Sequence, residues 1–372
     1  MSVTEASGGA RSATAPRLNA ICPYFTMFPY SFPERVLAGF DRPPRLVLDP
    51  FCGRGTTNIA ARAHGYATVG VDSNLLAIAL TAAKLVDTNP DRIMDELREL
   101  ERHPAEADTP ASDFWHWAFA PGTLRRLSSL RAKLTLPTDN PERIALRALI
   151  AGALHGPVNK GRPSYLSNQA PRTFAPKPGY ALKFWRRRDL PPREVDLADV
   201  IGRRATWYYS TPLPNVKSAT VLGDARNLAA DWPHESVDAI ITSPPYWQMR
   251  TYRPDQWLRL WFLGGPDDVE YSDAAILGSG NARFFAEELK TVWRQTASVS
   301  SDNAVMVVRF GAIPSAQVDA EELFRSSLAG SGWTIVDTTN AGDPRKGKRQ
   351  SEHFGSRNSR PVEEIDFYCR RG

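Results

Sequence analysis

Two short segments of this 372-residue sequence carry residues whose types and spacing suit chemistry. The first, Ser243-Pro244-Pro245-Tyr246-Trp247, follows the apolar run DAIIT. Consecutive prolines remove backbone donors and stiffen the loop, which leaves carbonyl acceptors beside the Ser243 hydroxyl and an aromatic face. Two acceptors that draw on the N–H protons of an amine turn its lone pair toward an electrophilic methyl group. Tyr246 or Trp247 then stacks on a base turned out of its helix. The plainer alternative is a rigid proline turn with a core aromatic.

The second segment is Asp49-Pro50-Phe51-Cys52-Gly53-Arg54-Gly55-Thr56-Thr57. Its glycines let the backbone approach a ligand closely, and free N–H groups at the start of the following helix favour a negative group such as a carboxylate. A lone GxG is also a plain tight turn, but the flanking Asp-Pro-Phe and Thr-Thr favour a small-cofactor loop. The third glycine of GxGxxG is missing, so a nucleoside-sized ligand is expected before a dinucleotide. Asp72 ends the next apolar run, where an acid accepts hydrogen bonds from ribose hydroxyls or, with Ser73 or Asn74, caps a helix.

These loops need strands and helices to aim them. RLVLD (45–49) and ATVGVD (67–72) read as buried parallel strands, each followed by a helical stretch, TTNIAARAHG ended by Gly65 and NLLAIALTAAKL. This alternation predicts a parallel α/β sheet. From 86 to 216 the character changes, first to polar helices (DRIMDELRELERH, ERIALRALIAGALHG), then to a Pro-rich, basic, aromatic stretch without clear periodicity. The rhythm resumes at SATVLGDA (218–225) and VDAIITSPPY (237–246). A helix over 281–297, a strand over 303–310 and a helix at AEELFRSSLAGSG follow. WTIVDTTN (333–340) and VEEIDFYCRRG (362–372) have no helix between them, so they are expected to pair antiparallel. The expected organisation is a disordered tail over 1–18, a catalytic domain over 19–85 and 217–372, and an inserted helical and irregular region over 86–216.

DPFCGRGTT followed later by TSPPYW resembles the amino-methyltransferase family that modifies DNA at cytosine N4 or adenine N6, over roughly 20–85 and 218–372. Serine in place of Asp or Asn at 243 points to the cytosine branch. The resemblance implies a Rossmann-like, seven-stranded class I methyltransferase sheet with an antiparallel last strand, and S-adenosylmethionine as cofactor. Phe51, Gly53 and Gly55, with Thr56 and Thr57, would surround its methionine part, with Asp49 near the amino group. Asp72 matches the ribose-binding acid, Asp224 the residue that recognises the adenine amine, and Ala225 a source of backbone contacts. The segment Tyr24 to Tyr30, with Thr26, resembles the piece that closes over the methionine end; a Pro-aromatic strap on the sheet edge reads equally well. Ser243, Pro244, Pro245 and Tyr246 become the catalytic loop. In Arg250-Thr251-Tyr252, Arg250 suits a phosphate and Tyr252 the base pocket. The interval from Asp72 to Asp224 is longer than the family's usual orders place it.

Double-stranded DNA is then the expected partner. Lys160, Arg162, Arg172, Arg186, Arg187 and Arg188 interleave with aromatic residues, which suits phosphate contact with base stacking, although a solvated face looks alike. Lys346, Lys348 and Arg349 form a second basic patch before the last strand. A site-specific methyltransferase in restriction–modification or host-DNA protection follows, with a cognate restriction endonuclease as a candidate partner. Three other readings stay open: adenine N6 as the target, a tRNA guanine-N2 methyltransferase (whose loop is DPPY rather than SPPY), and a catalytically silent DNA-binding subunit.

Composition agrees. The formal charge of +5 permits an anionic partner without demanding one. Three cysteines, Cys22, Cys52 and Cys369, form no CxxC and no even framework, so neither disulfides nor a thiolate zinc site is expected. Cys52 lies inside the cofactor loop, away from a cytosine-C5 nucleophile's place. No long apolar segment occurs, and a cytoplasmic, nucleoid-associated prokaryotic protein is expected.

Overall fold

The structure is a computed structural model that describes residues 13–24, 28–134, 138–156, 161–168, 177–230, 232–248, 256–270, 281–312, 318–341 and 364–372. The chain divides into two compact units, one of 25–81, 214–251 and 273–372, the other of 1–24, 82–213 and 252–272.

The first unit is built on seven strands: β1 (Leu46–Asp49), β2 (Ala67–Asp72), β3 (Ser218–Leu222), β4 (Val237–Thr242), β5 (Ser300–Gly311), β6 (Trp333–Asn340) and β7 (Glu364–Arg371). They form one sheet in the order β3-β2-β1-β4-β5-β7-β6. The first five run parallel, and β7 lies antiparallel between β5 and β6. This is the class I methyltransferase order that the resemblance implies.

β1, β2 and β4 are almost continuously buried, as strands covered on both faces must be. Side chains alternate between two cores, as the pleat requires. Leu48, Val71, Ile240 and Met306 face one side, packed with Leu289 and Trp293 of the helix Ala282–Ser298 and Phe324 of the helix Ala320–Leu328. Val47, Ala239, Ile241 and Val307 face the other, against Phe32 and Val36 of the helix Ser31–Ala38 and Ala60 and Ala61 of the helix Thr56–Ala63. The strand order reverses between β1 and β4, and ligands of open α/β sheets bind outside the carboxyl ends of the strands at such a point.

The antiparallel strand also carries charge into the core. Arg309 on β5 stands opposite Asp366 on β7, and the guanidinium grips the carboxylate with two bonds of 2.7 and 2.8 Å. Asp366 is fully buried and also accepts from Arg35 at 2.7 Å, while the Arg309 guanidinium lies 4.2 Å from the centre of the Phe32 ring.

The second unit is helical: Pro90–Arg102, Asp113–Ala118, Pro121–Lys133, Pro141–Ala153, Pro178–Arg187, Leu197–Tyr209 and Trp257–Phe262. An aromatic core of Phe114, Trp115, Trp185, Trp257 and Trp261 joins three of these helices. Arg131 donates to the carbonyls of Trp261 and Gly265 at 2.7 and 3.0 Å, which ties in the segment that follows the Ser-Pro-Pro-Tyr loop.

Two expectations are corrected. The basic, aromatic stretch read as aperiodic contains two helices, Pro178–Arg187 and Leu197–Tyr209; the second starts on Asp196, whose side chain accepts from the Asp199 N–H. Residues 13–18, read as the end of a disordered tail, belong to a helical stretch over 13–19 that buries Thr14, Ala15, Leu18 and Asn19. Small polar residues hid a helix whose one face packs.

Truncating one partner of a buried, bidentate ion pair leaves the other charge uncompensated. Asp366→Ala is expected to cost about 3–5 kcal/mol of stability, measured by urea unfolding. A loss below about 1 kcal/mol, the range of exposed pairs, would show that Arg309 finds other solvation.

Candidate cofactor and substrate site

The loops that leave β1, β2, β3 and β4 at their carboxyl ends carry Asp49, Phe51, Gly53, Gly55, Asp72, Asp224 and the Ser-Pro-Pro-Tyr segment, and hydrogen bonds connect them in sequence across the sheet. From β3, the Gly223 N–H donates to the Asp72 carbonyl at 3.0 Å. The Asp72 carboxylate accepts from the Gly53 N–H at 2.9 Å and from the Asn74 N–H at 2.8 Å. The Cys52 N–H donates to the Val71 carbonyl at 2.9 Å. Asp49 accepts at one oxygen, Oδ1, from the Phe51 N–H at 3.1 Å and from the Thr242 hydroxyl of β4 at 2.6 Å. Thr57 is fully buried, and its hydroxyl donates to the Ile241 carbonyl at 2.9 Å.

The two glycines are required by shape. Gly53 and Gly55 both have positive φ, 50° and 78°, which side chains rarely adopt. A Cβ on Gly55 would also stand 2.6 Å from the Thr81 hydroxyl oxygen. Gly55 precedes the helix Thr56–Ala63, which has no side-chain cap and no acid in its first turn.

Burial sets the charge state of this cluster. Asp49 is wholly inaccessible, and desolvation pushes its carboxyl up to about 7, against the bonds from Thr242 and Phe51 that favour ionisation. Burial also raises Asp72, opposed by the backbone donors of Asn74 and Gly53. Asp224 moves the other way, because the Arg226 guanidinium holds both of its oxygens, at distances down to 2.5 Å. Arg226 in turn meets Glu288 at 2.5 Å.

On the loop after β4, Ser243 is half-buried, Pro244 buried, Trp247 half-buried, and Gln248 turns the chain with φ of 60°. Tyr246 is only 6% exposed, set edge-on to Phe310 at 5.6 Å, and its hydroxyl donates to Glu364 of β7 at 3.0 Å. Burial and the Glu364 carboxylate hold this phenol well above its ordinary range.

Comparison with known proteins meets this geometry at the glycine loop. Residues 6–83 match the family model described as DNA methylase, of N6 and N4 type. The similarity to that family is confined to this stretch, about a fifth of the 372 residues. No curated protein matches the chain. Among solved structures, the rRNA methyltransferase aviRa of Streptomyces viridochromogenes is 13% identical over 96% of this chain and 92% of its own, with a TM-score of 0.38. TrmN of Thermus thermophilus is 10% identical over 95% of this chain and 52% of its own, at 0.35. A SAM-dependent methyltransferase of Methanosarcina mazei is 8% identical over 90% of this chain and 96% of its own, at 0.34.

The residues at this edge of the sheet fit S-adenosylmethionine, the cofactor that the resemblance implies. The second Asp49 oxygen, Oδ2, is buried without a hydrogen-bond partner, a position that calls for a donor such as an ammonium. Phe51 packs on Trp293 at 6.2 Å beside the glycine turn, and the partly buried Asp72 carboxylate follows from the neighbouring strand.

Of the expected site residues, Asp49, Phe51, Gly53, Gly55, Thr56, Thr57, Asp72, Asp224, Ala225, Ser243, Pro244, Pro245, Tyr246 and Trp247 share this edge of the sheet. Thr26, Arg250, Tyr252, Lys160, Arg172, Lys346, Lys348 and Arg349 lie outside the described residues. In the helical unit, Arg186 pairs with Asp113 at 2.5 Å, Arg188 stacks on Phe184 at 4.2 Å, and Arg162 is 3.6 Å from Asp199. Arg187 is exposed. Sequence reasoning missed Glu364, whose distance from Tyr246 along the chain leaves no local signal.

Asp49 gives a signed expectation. Its folded value, about 7, lies above the ordinary 3.8, so between the two the folded protein holds a proton that the unfolded chain has released. Stability from this group is complete below the lower value and is lost as pH rises through the higher one. Asp49→Asn keeps the Oδ1 acceptor and cannot ionise, so in the absence of cofactor it should gain stability over the parent between about pH 5 and about pH 8. Urea melts across that range test it; a pH-independent difference would refute the shift.

Proposed function

We propose that this protein is a DNA methyltransferase that moves the methyl group of S-adenosylmethionine to the exocyclic N4 amine of a cytosine flipped out of duplex DNA. The bond from the Thr242 hydroxyl to Asp49 carries this reading. It fixes the residue just before Ser243 against the cofactor loop, so the amine-gripping acceptors and the methyl donor's pocket are set on one rigid edge. When bound, S-adenosylmethionine supplies a methyl group on a positively charged sulfur. The protein's part is orientation: the Ser243 hydroxyl oxygen and the Pro244 carbonyl accept from the two amine protons and aim the nitrogen lone pair. Asp49 is read as the acceptor for the cofactor's ammonium and Asp72 for its ribose. Asp224 would take the adenine amine while sharing its oxygens with Arg226.

Serine at 243, where Asp or Asn is the alternative, supports cytosine over adenine. Tyr246 is committed to Glu364, so Trp247 is the aromatic we read as stacking on the flipped base. Basic residues of the helical unit would hold phosphates. A site-specific enzyme of this kind fits host-DNA protection or restriction–modification, with a matching endonuclease as a candidate partner.

Ser243→Ala should lower kcat by roughly 10²-fold, the cost of one lost orienting group, and leave S-adenosylmethionine binding by calorimetry unchanged. Tyr246→Phe, which keeps the ring, should retain most activity. Methylation-aware sequencing of DNA treated with the enzyme should report N4-methylcytosine within one sequence motif. N6-methyladenine instead would transfer the assignment to the other branch, and label in tRNA alone would overturn it.

A further inference from the structure

The helix Leu197–Tyr209 has two faces with different tasks. Leu197, Val200, Ile201, Ala205 and Tyr209 are buried. The opposite side, Asp199, Gly202, Arg203, Thr206, Trp207 and Ser210, recurs at the three- and four-residue spacing of one helical face and lines an open cleft of about 520 Å³ together with Arg17. The cleft lies wholly within the helical unit.

Its chemistry is cationic and aromatic. The Arg17 guanidinium stands 4.7 Å from the centre of the Trp207 ring and donates to the Trp207 carbonyl at 3.4 Å. Trp207 is nevertheless 60% exposed, so one of the largest apolar side chains of the protein is kept in water with a cation over it. The acid of this face, Asp199, is shared by Arg203 at 3.1 Å and Arg162 at 3.6 Å, so with Arg17 three guanidiniums stand to one carboxylate. Thr206 and Ser210 add exposed hydroxyl donors.

Net positive charge selects against a basic or wholly apolar partner and favours a polyanion, while an exposed ring beside the cations suits a sugar or base next to a phosphate. We propose that this cleft is a DNA contact surface: Arg17 and Arg203 take backbone phosphates, Thr206 and Ser210 donate to the same oxygens, and Trp207 packs against the adjoining nucleotide. The assignment rests on the DNA-methylase reading for the identity of the polyanion, and on the cleft itself for the place. It also gives the N-terminal helical segment a task in DNA binding.

The test measures binding of the full chain to a fluorescein-labelled random-sequence DNA duplex over a salt series. Arg17→Gln combined with Arg203→Gln should weaken binding about tenfold or more at low salt. It should also flatten the plot of log affinity against log salt by roughly 2, close to one for each phosphate that is no longer neutralised. Trp207→Ala should weaken binding with the salt slope unchanged, and Trp207→Phe should restore much of the loss. Thr206→Glu, at an exposed position on the cleft, should reproduce the arginine effect by repulsion even if the double variant folds poorly. S-adenosylmethionine binding should be unaltered in each. Parental affinity and slope in the double variant and in Thr206→Glu would overturn the proposal, as would the same dependence on tRNA but not on DNA. If the parent binds DNA through the cleft yet methylates no cytosine, the functional reading fails and this one stands.

Discussion

One hydrogen bond, 2.6 Å from the Thr242 hydroxyl to the Asp49 carboxyl, is the constraint on which the site depends. It joins the last residues of β4 and β1, adjacent parallel strands whose registers meet at Val47 with Ala239 and Leu48 with Ile240. Both loops therefore leave the sheet from one point, where the strand order reverses. A buried carboxyl is expensive unless its bonds are met. Here two donors reach one oxygen, and the other is buried without a hydrogen-bond partner. The desolvation that lifts Asp49 to about 7 makes the same group responsive to a cation placed beside it, which would return it toward its ordinary acidity.

The neighbouring acids show how position decides what a carboxylate is for. Asp72 spends hydrogen-bond capacity on the Gly53 and Asn74 amides, so it shapes the glycine turn. Both the capping and the ligand-binding readings of this residue are compatible, because each oxygen has more than one lone pair. Asp224 is held by Arg226, and Arg226 by Glu288 of the helix Ala282–Ser298, so its charge is already balanced inside the protein.

What the sequence made legible was whatever is local. β1, β2 and β4 show themselves as unbroken apolar runs because strands covered on both faces have no polar side to display. The glycine turn declares itself through residues that must take positive φ. The helix Leu197–Tyr209 was present in the pattern too, in Asp196 as cap and in the spacing of Leu197, Val200, Ile201, Ala205 and Tyr209, but its outer face of arginines and aromatics obscured the period. Arg309, Glu364 and Asp366 were not legible at all. Each stands in an apolar strand where a charge looks like an exposed position, and only the antiparallel register of β5 and β7 sets Arg309 against Asp366 and brings Glu364 level with the end of β5.

That register also explains the tyrosine of the Ser-Pro-Pro-Tyr loop. A buried phenol needs an acceptor for its proton, and the first residue of β7 provides one at 3.0 Å. Glu364 is itself almost fully buried, so this bond is shielded from water. The ring of Tyr246 is held by Phe310 and the hydroxyl by Glu364, which leaves the prolines before it little freedom to tilt. Rigidity at Pro244 thus has two sources: its own ring, which fixes φ, and an aromatic anchor two residues later whose partner arrives from the antiparallel strand at the far end of the chain. The strand that departs from the parallel order is in this way what steadies the loop at the parallel strands' end.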